Sequence, residues 1–267
     1  MENKNFNPDN YWEDRLHKIG GLEGVGFKKL GQSFNKWAYK VRKHVFLKQV
    51  QKLDTDFKNS KVLDIGSGTG FYVQAWRELQ VKNITGVDIT PTSVENLKIT
   101  FSENQFFQCD IGDVNFNASN QFSEYDLISA MDVLFHIVDD KRFEQSIKNI
   151  ASITKKDGYF IYSDNFINHE TVRGESQVSR SKKYLMDVFT KNEFEVVTFK
   201  PFMYWTNAPV DSKNILLKAH WYILENYLYV LPFMGNITGP LMYPFELFFV
   251  NNFKDSPTTE FVIFKKK

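Results

Sequence analysis

A small set of acidic, basic and imidazole side chains stands where the sequence could support chemistry. The first is Asp64, inside Lys61–Phe71 (KVLDIGSGTGF). A short apolar run ends there in an acid, followed by Gly66, Ser67, Gly68 and Gly70. Glycines let the chain turn tightly and let a ligand lie against bare backbone. A carboxylate two positions before the first glycine would repel a pyrophosphate and attract a cation. The pattern therefore suits a ligand carrying an ammonium and a sulfonium. Taken alone, the glycine spacing also fits nicotinamide and flavin binders, or a chance turn. Further along, Asp88, Asp110, Asp132 and Asp164 each follow a short apolar segment. His136 lies just beyond Asp132, and its imidazole titrates near neutral pH, which suits proton transfer.

VLDIGSGTG resembles the first motif of class I S-adenosylmethionine (SAM) dependent methyltransferases. The resemblance implies that the loop from Asp64 to Gly70 wraps the methionine half of the cofactor. ITGVDI (residues 84–89) then resembles the second motif, whose acid, here Asp88, can accept both ribose hydroxyls. Ile89 takes the place where the family sets an apolar side chain against adenine, although a plain core isoleucine fits equally. QCDI (108–111) resembles the third motif, which implies that Asp110 faces the adenine amino group with Ile111 beside it. YDLISAMDVLFH (125–136) resembles the fourth and implies a cofactor contact at Met131. It lacks the Asn/Asp-Pro-Pro-aromatic run of enzymes that methylate DNA bases. It is closer to methyltransferases of small metabolites and sugars, in which the motif often ends in a histidine. His136 is then a candidate general base for a substrate hydroxyl, or a helix-capping residue. Asp132 is a candidate for orienting substrate, or a cap.

The elements that must hold these residues follow from periodicity. Lys61–Ile65, Ile84–Asp88, Phe106–Cys109, Tyr125–Ala130 and Tyr159–Ser163 read as strands alternating with helices, the pattern of a parallel sheet. Phe71–Leu79 reads as a helix with Val73, Trp76 and Leu79 inward, Pro91–Leu97 as a helix start capped by Thr90, and Asp139–Thr154 as an amphipathic helix. Asp157-Gly158 reads as a turn and Asp113–Glu124 as a polar loop. Asp164 falls at the carboxyl end of its strand, the ligand side of such sheets, which makes it a candidate for substrate contact. Asn168–Val178 reads as a mobile flap, and Arg180 behind it is a candidate for an acidic substrate group or a solvated helix start. Glu195–Phe199 and Thr259–Phe264 are the last two strands.

The fold class expected is α/β: a Rossmann-like seven-stranded methyltransferase sheet with N-terminal helices and a helical insertion between the last two strands. Residues 1–56 form an N-terminal helical cap, with a long helix from about Ser33 to Lys52. Its pattern is similar to the leader of bacterial methyltransferases of small molecules and glycans, which implies that Tyr11, Tyr39 and Arg42 reach cofactor or substrate. Residues 57–200 form the SAM-binding core, and 258–267 the last strand. Residues 201–257 carry two aromatic-rich helices, Asn214–Leu231 and Gly239–Val250, split by Pro232 and Gly235. They read as a lid, with a peripheral membrane contact or a homodimer surface as the sharper alternatives.

The bulk properties narrow the function. The chain has 267 residues, net charge +1 and a single cysteine. Near-neutral charge argues against a general grip on nucleic acid. One cysteine gives neither a disulfide frame nor a usual zinc site, and no ligand cluster for another metal is evident. The polar first residues and the lack of a membrane-length apolar run point to a cytoplasmic protein. The function expected is methyl transfer from SAM to a small molecule, with a hydroxyl of a glycan, lipid-linked or secondary-metabolite intermediate as the expected acceptor. The alternatives are a protein or RNA methyltransferase, or a module that binds SAM or a nucleoside without turnover.

Overall fold

A computed structural model describes residues 7–117, 121–122 and 124–267. The first six residues, on which the cytoplasmic reading partly rests, lie outside the described residues, as do 118–120 and 123 of the expected polar loop. The strands are β1 (Lys61–Ile65), β2 (Asn83–Asp88), β3 (Gln105–Gln108), β4 (Tyr125–Met131), β5 (Thr154–Asp164), β6 (Val172–Arg173), β7 (Val178–Ser179), β8 (Phe194–Met203) and β9 (Thr259–Lys266). The helices are α1 (Pro8–Lys18), α2 (Gly21–Val25), α3 (Gly31–Val50), α4 (Phe71–Glu78), α5 (Pro91–Thr100), α6 (Asp140–Ile153), α7 (Lys182–Lys191), α8 (Ile215–Val230) and α9 (Gly235–Asn252).

Seven strands form one sheet in the order β3-β2-β1-β4-β5-β9-β8. The first five are parallel, and β9 runs antiparallel between β5 and β8. This is the Rossmann-like class I methyltransferase sheet. Strands covered on both faces read as continuous apolar runs, and the core divides accordingly. Val62, Trp76, Leu127, Ile161 and Phe261 pack on one face with Phe46 of α3. Leu63, Ile128, Phe160 and Phe264 pack on the other, against Phe143, Ile147 and Ile150 of α6 and Phe189 of α7. The register sets Ile65 beside Val87 and Ala130, and Met131 beside Ser163. The carboxyl ends of β1, β2, β4 and β5 therefore open on one edge, where ligands meet a doubly wound sheet.

Several local expectations change. The turn expected at Asp157-Gly158 lies within β5, which begins at Thr154; Asp157 keeps a left-handed φ of 62°. The flap over 168–178 contains the β6–β7 hairpin. Thr90 holds the N-cap position of α5, but its hydroxyl donates to Asp88 Oδ1 instead of accepting from the helix. The second insertion helix starts at Gly235 and runs through Pro240 and Pro244. Its docking along α3 and β8 offsets the hydrogen bonds those prolines forgo.

One fully buried carboxylate ties the insertion to the sheet. Glu246 of α9 accepts the amides of Tyr204, Trp205 and Thr206, at 2.5, 2.9 and 3.1 Å, as the chain leaves β8. The outer faces of α8 and α9 expose Ile215, Tyr222, Ile223, Leu241, Phe245 and Phe248. Among the described residues, no helix is long and apolar enough to cross a membrane.

Candidate active site

A cavity of about 280 Å³ lies at the carboxyl edge of the sheet. Its floor is the glycine loop, Gly66, Ser67, Gly68 and Thr69; Asp88 ends β2 with Ile89 after it, and Asp110 and Ile111 follow β3. Met131, Asp132 and His136 close the β4 side. Gly66 and Gly68 hold φ of 68° and 52°, and an added Cβ would lie 2.4 Å from Val133 Cγ2 and 2.9 Å from Val25 Cγ1, respectively. Only glycine turns the chain there and leaves the floor bare. The amides of Gly66 and Ser67 donate to the Val87 carbonyl at 2.7 and 3.1 Å, and Gly68 donates to Asp88 Oδ2 at 2.8 Å. The loop is thus stitched to β2.

Asp64 and Gly70 belong to this loop but do not line the cavity. Asp64 is buried, with Oδ1 accepting from Ser129 Oγ at 2.6 Å, and that hydroxyl accepting from Trp76 Nε1 at 3.0 Å. Its Oδ2 is buried with no partner. Burial pushes the carboxyl up to about 7, against the hydrogen bonds of Ser129 and Ser67. The Tyr72 hydroxyl is also buried without a partner, and Tyr72 lines the cavity. Burial likewise raises Asp88, whose Oδ1 accepts the Thr90 amide and hydroxyl. Asp110 is bound by the Gly112 amide at 2.8 Å and paired with Arg142.

A second cavity, of about 260 Å³, adjoins the first. Trp12, Val25, Tyr39, Asp132 and His136 line both. Asp132 sits at this junction with a left-handed φ of 58°. Its Oδ1 accepts from Ser163 Oγ at 2.9 Å and its Oδ2 from Arg42 Nε at 2.8 Å. His136 ends a short 3-10 turn after β4 (Leu134–His136). Its Nδ1 lies 2.7 Å from the Ser176 carbonyl, at the tip of the β6–β7 hairpin, and its ring meets Trp12 edge-on at 4.8 Å. A carbonyl only accepts, so Nδ1 carries the hydrogen and Nε2 keeps its lone pair. Burial holds the imidazole neutral, with its pKa down at about 4.

Two expected substrate residues lie elsewhere. Asp164 is fully buried, bound by the Tyr162 hydroxyl and by the Asn165 amide at 2.6 Å, and lines neither cavity. Arg180 corrects the expectation of a group free for an acidic substrate. It is sealed, with Nε on Asp140 at 3.0 Å, Nη2 on the Ile137 carbonyl at 2.7 Å, and its guanidinium 4.0 Å from the centre of the Phe143 ring. Sequence reasoning missed Pro8, Trp12 and Leu16 of α1, which roof the first cavity. A tryptophan in a short, mostly polar helix was the available signal. Glu13 fastens this roof by accepting from the amide and hydroxyl of Thr92 at the start of α5.

Comparison with known proteins fits this architecture. A family model described as a methyltransferase domain matches residues 56–224, more than half of the chain. The chain belongs to this methyltransferase family. Its cofactor is S-adenosyl-L-methionine. Bare glycine backbone, a strand-end carboxylate at Asp88 and unpartnered polar atoms on Asp64 and Tyr72 fit that group. Magnesium protoporphyrin IX methyltransferase from Synechocystis PCC 6803, with bound SAH, has the same fold. It is 14% identical, with a TM-score of 0.58 and 97% of each chain covered. A putative SAM-dependent methyltransferase from Listeria monocytogenes is 14% identical, with a TM-score of 0.52 and coverage of 85% of this chain and 99% of that one. The [4+2]-cyclase SpnF also shares the fold, at 13% identity and a TM-score of 0.53, with 83% and 80% covered. A search of curated proteins finds no match in sequence. Fold alone therefore does not set the reaction, and the site must be argued from its residues.

Proposed function

We propose that this methyltransferase moves a methyl group from SAM to a hydroxyl oxygen of a small molecule seated in the second cavity. The observation that carries the reading is the shared wall: Asp132 and His136 border both spaces. SAM supplies the methyl group on a sulfonium, already a good leaving group. The chain's task is then alignment and exclusion of water, the larger part of such catalysis. Asp64 and Tyr72 receive the methionine ammonium end, Asp88 the ribose, and Ile89 and Ile111 the adenine faces. Asp132 and Tyr39 hold the junction. His136 Nε2 accepts the hydroxyl proton as the oxygen takes the methyl group. In this arrangement the helices of residues 1–56 cap the donor. The insertion of 201–257 roofs the acceptor through Trp221 and Glu225, which line the second cavity.

The test is transfer of label from methyl-tritiated SAM to hydroxyl-bearing acceptors, with SAH binding measured on the same preparation. His136→Asn should lower kcat by about a hundredfold, the usual worth of a positioned base, with SAH affinity unchanged. An active enzyme with an undiminished kcat in that variant overturns the role of His136. SAH binding without transfer to any hydroxyl acceptor overturns the reaction.

A further inference from the structure

The second cavity also constrains what the acceptor is. Phe27, Phe135 and Trp221 join Trp12 and Tyr39 in its wall and give it flat apolar surfaces. Its charged groups are unbalanced. Arg15, Lys28, Lys29 and Arg42 face it, against Asp132 and Glu225. Lys29 pairs with Glu225 at 3.1 Å and Arg42 with Asp132 at 2.8 Å. Arg15 and Lys28 have no carboxylate partner among the described residues. Two guanidinium nitrogens here are buried without hydrogen-bond partners, Arg15 Nε and Arg42 Nη1, and Arg42 is only 5% exposed. Arg15 spends its other nitrogens on Tyr11 Oη and on the carbonyls of Glu23 and Gly26. A buried, unpaired donor on a charged group is costly unless a ligand completes it.

We propose that the methyl acceptor is a planar aromatic acid. Its rings lie between Trp12, Phe27 and Trp221, and its anionic group is held by the Arg15, Lys28 and Arg42 side of the cavity. The inference rests on reading this cavity as the acceptor site. Aromatic walls favour flat rings, and guanidinium groups favour carboxylate through paired, charge-assisted hydrogen bonds. The negative charge of the acceptor would also reduce the two-charge imbalance.

The experiment titrates the SAH-saturated protein by calorimetry with 2-naphthoate and with 2-naphthamide, which share shape and differ in charge. Naphthoate should bind at least about tenfold more tightly, the usual advantage of a charge-assisted contact. Lys28→Gln, which changes an exposed side chain, should cut that preference severalfold. Adding Arg15→Gln should abolish it, and Arg15→Lys should retain part of it. Equal affinity for the two probes, no binding of either, or a preference untouched by these substitutions overturns the proposal. Naphthoate that binds only by displacing SAH also overturns it, because the anion is then in the donor site. SAH affinity measured on the same samples separates these failures from failure of the donor site itself.

Discussion

Cofactor binding should be coupled to a proton at Asp64. Its carboxyl stands at about 7 in the free protein because it is buried, and Oδ2 has no partner. An ammonium placed against that oxygen favours the ionised form, so binding must expel the proton wherever the free protein holds one. With that value, about nine in ten molecules are protonated at pH 6, about half at pH 7 and about one in ten at pH 8. Binding of SAH should release about 0.9 proton at pH 6 and about 0.5 at pH 7, and affinity should rise about tenfold from pH 6 to pH 8. Calorimetry at each pH, in two buffers with different ionisation enthalpies, measures the release directly. Asp64→Asn should bind SAH more weakly and without this release. His136 does not confuse the window, since it is already neutral at pH 6. Failure to release a proton at pH 6, or an unchanged release in Asp64→Asn, would refute the assignment of the ammonium to Asp64.

Other expectations follow from the same geometry. With SAM saturating, kcat should stay level from pH 7 down to pH 5, because the His136 limb lies near 4; a limb near the ordinary imidazole value would mean that the ring is not held as described. Glu246→Ala leaves one buried and two part-buried amides without an acceptor and should lower unfolding free energy by about 3 kcal/mol in urea titrations; a loss under about 1 kcal/mol contradicts the tie. Burial raises Glu260 to about 8, above its value in the unfolded chain. Its contribution to stability is therefore full at acid pH and is lost as pH rises through 8. Between pH 6.5 and 8.5 the ligand-free protein should lose on the order of 2 kcal/mol from this group. Thermal denaturation across that range should show a slope that Glu260→Gln flattens, and an equal slope in the variant counts against it.

The sheet was legible because its parallel strands are short runs with an acid at or near the carboxyl end, and because the glycine loop carries a strong local signal. Asp88, Ile89, Asp110, Ile111, Met131, Asp132 and His136 come together at one cavity because they all end or follow strands whose carboxyl ends share an edge. What escaped sequence reasoning depends on distant contacts. Arg180 reads as a surface group, yet it is covered because Asp140 and the Ile137 carbonyl come from the other side of β5 in the chain. Nothing near His136 in sequence announces Ser176, which selects its tautomer from 40 residues away. The roof by α1 is set by Glu13 reaching Thr92, again across 79 residues. Thr90 was expected to cap its helix, but the nearer Asp88 carboxylate takes its hydroxyl.

The most direct measurement is a crystal structure of the protein with SAH. The account predicts adenine between Ile89 and Ile111, the ammonium toward Asp64, and the sulfur at the Asp132 and His136 junction, facing the second cavity. A cofactor bound with its sulfur turned away from that cavity would contradict it.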